Sequence, residues 1–217
     1  LWDRGFETQD SKCFYSHNEW VSETIEFFKG KKDCLLFVKP HPSEYSYFEK
    51  QEKGAGDIIR DLFKELPENV FILSNKAKIT SFDLMEKNCI ALTFYGTVGL
   101  EFAYFKKPAL YASSIFYTKA NAGIEPTSKE QYFGLLRNPE PLYTFVEENH
   151  ETIKRFAYHY LFRRNLRVPF YLQDKVWLGN CIDWSLLADY PGLIKNDPII
   201  KHISQSILEG KDVVNQD

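Results

Sequence analysis

Between Asn18 and Tyr111, short apolar runs alternate with amphipathic stretches of helical period, and this alternation constrains the fold more than any other feature of the chain. Trp20, Val21, Thr24, Ile25, Phe27 and Phe28 recur at helical spacing over Asn18–Lys29, and Gly30 with the Lys31-Lys32-Asp33 turn closes that helix. A strand is predicted at Cys34–Val38. A helix over Gly56–Leu66 follows, with Ile58, Ile59, Leu62, Phe63 and Leu66 on one face and Pro67 as its stop. Val70–Leu73 is the next strand. Ser81 is the expected cap of a helix over Phe82–Lys87, and Cys89–Phe94 is a third strand. A helix over Thr97–Phe105, ended by Lys106-Lys107-Pro108, leads to a fourth strand at Ala109–Tyr111.

Strands separated by helices at this rhythm make βαβ units in a parallel sheet. The expected fold is α/β: a Rossmann-like parallel sheet with helices on both faces over residues 1–140, with a helical extension over 141–217. Ser128–Leu136 and the long stretch Pro141–Arg164 read as helices. Leu166–Leu208 reads as irregular apart from a terminal helix at Pro198–Leu208, and disorder is expected only in the polar end from Gly210 to Asp217.

The strand at Cys34–Val38 stops at Lys39-Pro40-His41-Pro42-Ser43-Glu44. Proline cannot donate to a sheet ladder and pushes the preceding residue out of the helical region. Lys39 and His41 are thereby presented at the carboxyl end of a strand, where ligands of open α/β sheets bind. His41 can donate a hydrogen bond to a phosphate oxygen, or it can be satisfied by backbone carbonyls. Lys39 adds positive charge there or is simply the polar end of the strand.

The third strand runs into Gly96-Thr97-Val98-Gly99-Leu100-Glu101. A glycine-bearing turn opening a helix collects free backbone N–H groups at one point, an arrangement suited to an anion. Thr97 can add a hydroxyl, and Glu101, one turn on, can accept from ribose hydroxyls. The alternative is a tight turn whose glycines serve only close packing, with Glu101 solvated. After the fourth strand, Ala112-Ser113-Ser114-Ile115-Phe116-Tyr117 places hydroxyls at another strand end, and Tyr117 or Phe116 can either stack on a base or pack the loop.

Composition narrows the partners. A net charge of -3 over 217 residues argues against nucleic acid, whose binding takes a basic face. The four cysteines, Cys13, Cys34, Cys89 and Cys181, show neither CxxC spacing nor clustered histidines, so no metal site is expected and free thiols in a reducing cytoplasm are. Walker, GxSxG and HExxH signatures are absent, as is a full GxGxxG after the first strand. Leu1-Trp2-Asp3 does not read as a natural start, and the chain is expected to be part of something longer.

In order along the chain, Leu1-Trp2-Asp3, Trp20-Val21-Ser22-Glu23-Thr24-Ile25, Val38-Lys39-Pro40-His41-Pro42-Ser43-Glu44, Thr97-Val98-Gly99-Leu100-Glu101 and Lys107-Pro108 resemble the capsule polysaccharide biosynthesis family over about residues 1 to 120. The resemblance implies one half of a GT-B glycosyltransferase, the carboxyl-terminal half that binds the donor nucleotide. It implies a CMP- or UDP-linked sugar donor, a glycan or glycolipid acceptor, no bound metal or other cofactor, and an amino-terminal GT-B domain that supplies the general base. His41 and Pro42 would contact the nucleotide phosphate and His41 would act catalytically on the leaving group. Thr97, with Gly96 and Gly99, would bind phosphate and Glu101 the ribose; Lys39, Ser113 and Tyr117 complete the expected donor site. The turn of such proteins usually opens with serine or asparagine, where this chain has Phe94-Tyr95-Gly96-Thr97. A cytoplasmic location is implied, with peripheral attachment at the inner membrane allowed. Two rival readings share these features: a UDP-N-acetylglucosamine 2-epimerase-like enzyme, and a non-catalytic nucleotide-sugar-binding module of a capsule assembly complex.

Overall fold

The computed structural model describes residues 11–40, 54–74, 79–164, 192 and 196–214. The chain divides into two compact units, Leu1–Lys154 and Arg155–Asp217. The first is a mixed α/β structure whose elements follow in the order α1 (His17–Phe28), β1 (Leu36–Val38), α2 (Ala55–Leu62), β2 (Val70–Ile72), α3 (Ser81–Met85), β3 (Ala91–Thr93), α4 (Val98–Tyr104) and β4 (Ala109–Tyr111). A short 3-10 turn at Thr118–Ala120, then α5 (Lys129–Arg137) and α6 (Glu140–Tyr158), complete the series, the division between the units falling within α6. In the second unit α6 passes into a π-helical turn over His159–Arg163, and α7 spans Pro198–Leu208. Among the described residues no helix is long and apolar enough to cross a membrane.

Among the described residues the strand pairing is parallel, as the helical crossovers require. Leu36, Phe37 and Val38 of β1 pair with Val70, Phe71 and Ile72 of β2, and Ala91, Leu92 and Thr93 of β3 pair with Ala109, Leu110 and Tyr111 of β4. Among the described residues these pairs form two separate two-stranded sheets rather than one continuous sheet. Ile124 extends the second by a bridge to Leu110.

Helix α1 carries the apolar stripe that serves both sheets. Ile25 packs with Ile59 of α2, Val70 of β2, and the partly buried Leu36 and Val38 of β1. Trp20, one turn earlier, enters a second cluster with Cys13, Phe14, Phe94, Leu110, Ala112, Tyr132 and Leu142. Val21 touches both clusters. In the second cluster, the Trp20 indole N–H donates to the Tyr132 hydroxyl at 2.8 Å, and Thr24 Oγ1 lies 3.4 Å from the same oxygen. The Tyr132 ring meets Phe14 and Phe133 edge-on, and burial pushes its phenol up to about 12. On the surface, Lys129 of α5 bridges Glu19 and Glu23 of α1 at 2.5 and 2.6 Å.

Local chemistry explains where element ends depart from the sequence reading. Thr80, not Ser81, caps α3: its hydroxyl accepts from the Asp83 N–H, and the Asp83 carboxylate accepts from the Thr80 N–H at 2.6 Å. That reciprocal capping box satisfies two otherwise orphaned donors. Helix α2 begins after Gly54 and stops at Phe63, whose backbone is extended, four residues short of Pro67. Phe63 and Leu66 then reach the Ile25 cluster from non-helical backbone. Ser128 caps α5 by accepting from Gln131 N–H, and Asp197 caps α7. The long helix expected to reach Arg164 keeps α geometry only to Tyr158.

A Tyr132→Phe substitution keeps the ring contacts and strips the acceptor from the buried Trp20 N–H. It should cost about 1–3 kcal/mol, read as a lower urea midpoint with an unchanged denaturant slope.

Candidate functional site

The carboxyl ends of β3 and β4 lie side by side, and the chain leaves β3 through the turn Phe94-Tyr95-Gly96-Thr97 into α4. Two hydroxyls from the loop after β4 grip this turn from beneath. Ser113, buried, donates to the Phe94 carbonyl, and Tyr117, 0% exposed, donates to the Gly96 carbonyl. In a trans peptide the C=O and N–H of one unit point in opposite directions. Holding the Phe94 and Gly96 carbonyls toward the protein therefore turns the Tyr95 and Thr97 N–H groups away from it. Gly96 sits at φ +104°, a conformation L side chains rarely adopt, and nothing lies within 4 Å of where a Cβ would stand. Among the described residues no acceptor pairs with the backbone N–H of Gly96, Thr97 or Val98. Successive unpaired N–H groups on a glycine turn form an anion-binding concavity.

Gly99 does different work from Gly96. A Cβ there would stand 2.5 Å from a Tyr111 ring carbon and 3.1 Å from the Tyr117 hydroxyl. The bare glycine lets α4 press onto the β4 face, which keeps Tyr117 beneath the Gly96 carbonyl. Tyr111 is itself fully buried, donates to the Ala122 carbonyl at 2.7 Å and meets Tyr117 edge-on. Burial raises its phenol well above the usual range, so it stays neutral. Thr93, the last residue of β3, keeps a buried hydroxyl with no partner among the described residues, a cost of about 1–3 kcal/mol at the strand end just before the turn.

Thr97 and Glu101 meet directly: the threonine hydroxyl donates to Glu101 Oε1 at 2.8 Å. Glu101 is half-buried on the first turn of α4. The pairing aims the carboxylate back toward the turn and leaves Oε2 as an acceptor. The helix itself spans only Val98–Tyr104, so donor character at this point comes from the turn's own N–H groups rather than from a long helix dipole.

The other sequence-predicted residues fall as follows. Gly96, Thr97, Gly99, Glu101, Ser113 and Tyr117 come together around one turn. Ser113 and Tyr117 stand behind it as braces, and the buried Tyr117 ring packs against Tyr111 and Phe116 instead of offering a face to a base. Lys39 follows β1 in the other sheet and is exposed. His41 and Pro42 lie outside the described residues. Among the described residues no group of three or more His, Cys, Asp or Glu side chains is placed to hold a metal ion.

One residue packed against Phe94 has no motif in the sequence to mark it. His17, the first residue of α1, sets its imidazole edge-on against Phe94 at 5.4 Å and at 62° to Trp20 at 5.3 Å. Burial depresses its pKa below 6.5. The only sequence signal was its place three residues before Trp20, which brings the two onto one helix face.

Comparison with protein-family models, with curated proteins and with solved structures finds no match for this chain.

Two outcomes follow from this geometry. Gly99→Ala should destabilise by about 1–3 kcal/mol through overpacking against Tyr111, measured by urea denaturation. For His17, the folded state binds its proton less readily than the unfolded state. Its contribution is complete above pH 6.5 and is lost as pH falls from there toward the lower folded pKa. Denaturation at pH 7.5 and at about pH 5 should therefore show a larger acid loss for the wild type than for His17→Phe.

Proposed function

We propose that this chain is the donor-nucleotide-binding half of a GT-B glycosyltransferase of bacterial capsule or surface polysaccharide synthesis. It transfers a sugar from a CMP- or UDP-linked donor to a glycan or lipid-linked acceptor. The observation that carries the reading is the Phe94–Thr97 turn, whose carbonyls are held by Ser113 and Tyr117 while, among the described residues, the N–H groups of Gly96, Thr97 and Val98 find no acceptor. It stands at the carboxyl ends of parallel strands, where open α/β sheets take their ligands. The parallel pairs β1–β2 and β3–β4, each joined through helical segments, support the assignment to one Rossmann-like half of that fold.

In the proposed reaction the acceptor oxygen bonds to the anomeric carbon as the bond from that carbon to the donor phosphate breaks. The acceptor proton passes to a base on the amino-terminal domain. Negative charge grows on the departing phosphate, and donors fixed before the reaction begins stabilise it without reorganisation. The turn N–H groups supply such donors, and Glu101 Oε2 accepts from a ribose hydroxyl. His41 donates to the same phosphate in this reading, following the resemblance of its Lys-Pro-His-Pro segment.

Thermal denaturation with CMP, UDP and GDP, on the wild type and on His41→Ala, tests the proposal. A ligand at a hundredfold excess over its Kd adds about 2.7 kcal/mol of stability, or several degrees of Tm in a chain of this size. One nucleotide should stabilise the wild type and do so less in the variant. An unmoved transition with every nucleotide would sink the reading.

A further inference from the structure

From Thr152 to Gln173 the chain has no Asp or Glu, yet it holds Lys154, Arg155, Arg163, Arg164 and Arg167, in a protein whose net charge is -3. Phe156, Tyr158, Tyr160 and Phe162 lie between Arg155 and Arg163. Along the end of α6 and the π-helical turn, rings four residues apart stack on one another. Phe156 lies on Tyr160 at 6.0 Å and 4°, and Tyr158 on Phe162 at 5.7 Å and 28°. The Arg164 guanidinium sits over the Tyr160 ring at 5.1 Å. The rings are thereby ordered without being buried: Tyr158 is 51% exposed, Leu161 43% and Phe162 63%. Arg155 and Arg164 are exposed as well, and neither meets a carboxylate among the described residues.

Exposed rings beside unopposed cations meet the two demands of an anionic lipid surface. The rings enter the boundary between headgroups and acyl chains, while the guanidinium groups stay among the phosphates. A protein partner fits less well. The exposed large apolar side chains described in this unit are Tyr158, Leu161, Phe162, Ile207 and Leu208, well short of the roughly 20–30 residues per side of a stable protein interface. A second copy would also bring its own cations against these. We propose that the Arg155–Arg164 segment docks this chain on an anionic bilayer surface. It lies in the plane of the interface, with Tyr158, Leu161 and Phe162 at the headgroup boundary and Arg155 and Arg164 on lipid phosphates. Such docking takes no spanning helix, and it is independent of whether the Phe94–Thr97 turn binds a nucleotide.

Co-sedimentation of the full chain with vesicles of phosphatidylcholine alone, and of an equal mixture with phosphatidylglycerol, tests the proposal. Salt is set at about 0.1 M and about 1 M, where the screening length is about 10 Å and about 3 Å. The wild type should pellet with the mixed vesicles at low salt, less at high salt, and not with phosphatidylcholine alone. Arg155→Gln and Arg164→Gln should each lower the partition coefficient about fivefold, the equivalent of about 1 kcal/mol per cation near such a surface. Phe162→Ser, at an exposed position that the fold does not need, should lower it about tenfold. Arg60→Gln, in the first unit, should change nothing. A wild type left in the supernatant overturns the inference, as does equal binding to the two kinds of vesicle. Wild-type partitioning in Phe162→Ser and in both arginine variants also overturns it, as does a loss in Arg60→Gln equal to theirs. Self-association without vesicle binding, abolished by Phe162→Ser, overturns it in favour of a second copy as the occupant.

Discussion

The structure of the first unit depends on the buried hydroxyl of Tyr132. It accepts from the Trp20 indole and lies against Thr24, and so ties α1 to α5 inside a cluster that includes Leu110 of β4 and Leu142 of α6. A polar atom in such a place is costly without a partner and directional with one. Because Trp20 and Ile25 belong to the same helix, fixing Trp20 also fixes the register in which Ile25 meets β1 and β2. The two sheets share no strand pairing among the described residues, and α1 carries the apolar contact common to both. The Lys129 bridges to Glu19 and Glu23 reinforce the same α1–α5 seam from outside, with the smaller return expected of partly exposed ion pairs.

The candidate site inherits its order from that framework. Its outward-facing donors are backbone N–H groups, which have no side-chain rotamer to fix and whose direction is set wholly by their peptide planes. Those planes are set by two buried hydroxyls from a neighbouring loop, Ser113 and Tyr117. Tyr117 in turn is kept in place by the close approach of α4 to Tyr111, which the missing Cβ of Gly99 permits. The two glycines of the turn thus answer to different physics: Gly96 to a positive φ, Gly99 to packing distance. The sequence reading held open an anion-site role and a close-packing role for the glycines; close packing is the work of Gly99, and Gly96 shapes the turn.

Much of the fold was legible because it is local. Helical periodicity marked α1, α5 and α6, and the short apolar runs marked all four strands to within a few residues. What was not legible depends on contacts distant in sequence. Ser113 and Tyr117 were expected to be donor-site residues, and the structure shows both bracing the Phe94–Thr97 turn through carbonyls about twenty residues away. Ser81 was the expected cap, and Thr80 takes that place because the Asp83 carboxylate three residues on accepts from its N–H. His17 carried no motif, since its place beside Phe94 is made by the packing of α1 onto β3. The separation of the strands into two sheets could not be read from strand propensity, which says nothing about which edges meet.

By itself the sequence determined the alternating α/β character, the parallel sense of the strand pairs and the glycine turn after β3. Each follows from side-chain periodicity or backbone sterics acting over a few residues. The tertiary structure alone decided which carbonyls of that turn are held inward, and therefore which N–H groups face outward. It also decided that Thr97 and Glu101 meet as a pair and that a histidine packs against Phe94. The physical reason is that hydrogen bonds and ring contacts between distant residues are set by how helices pack on sheets, and neither spacing nor composition encodes the partner of a buried hydroxyl.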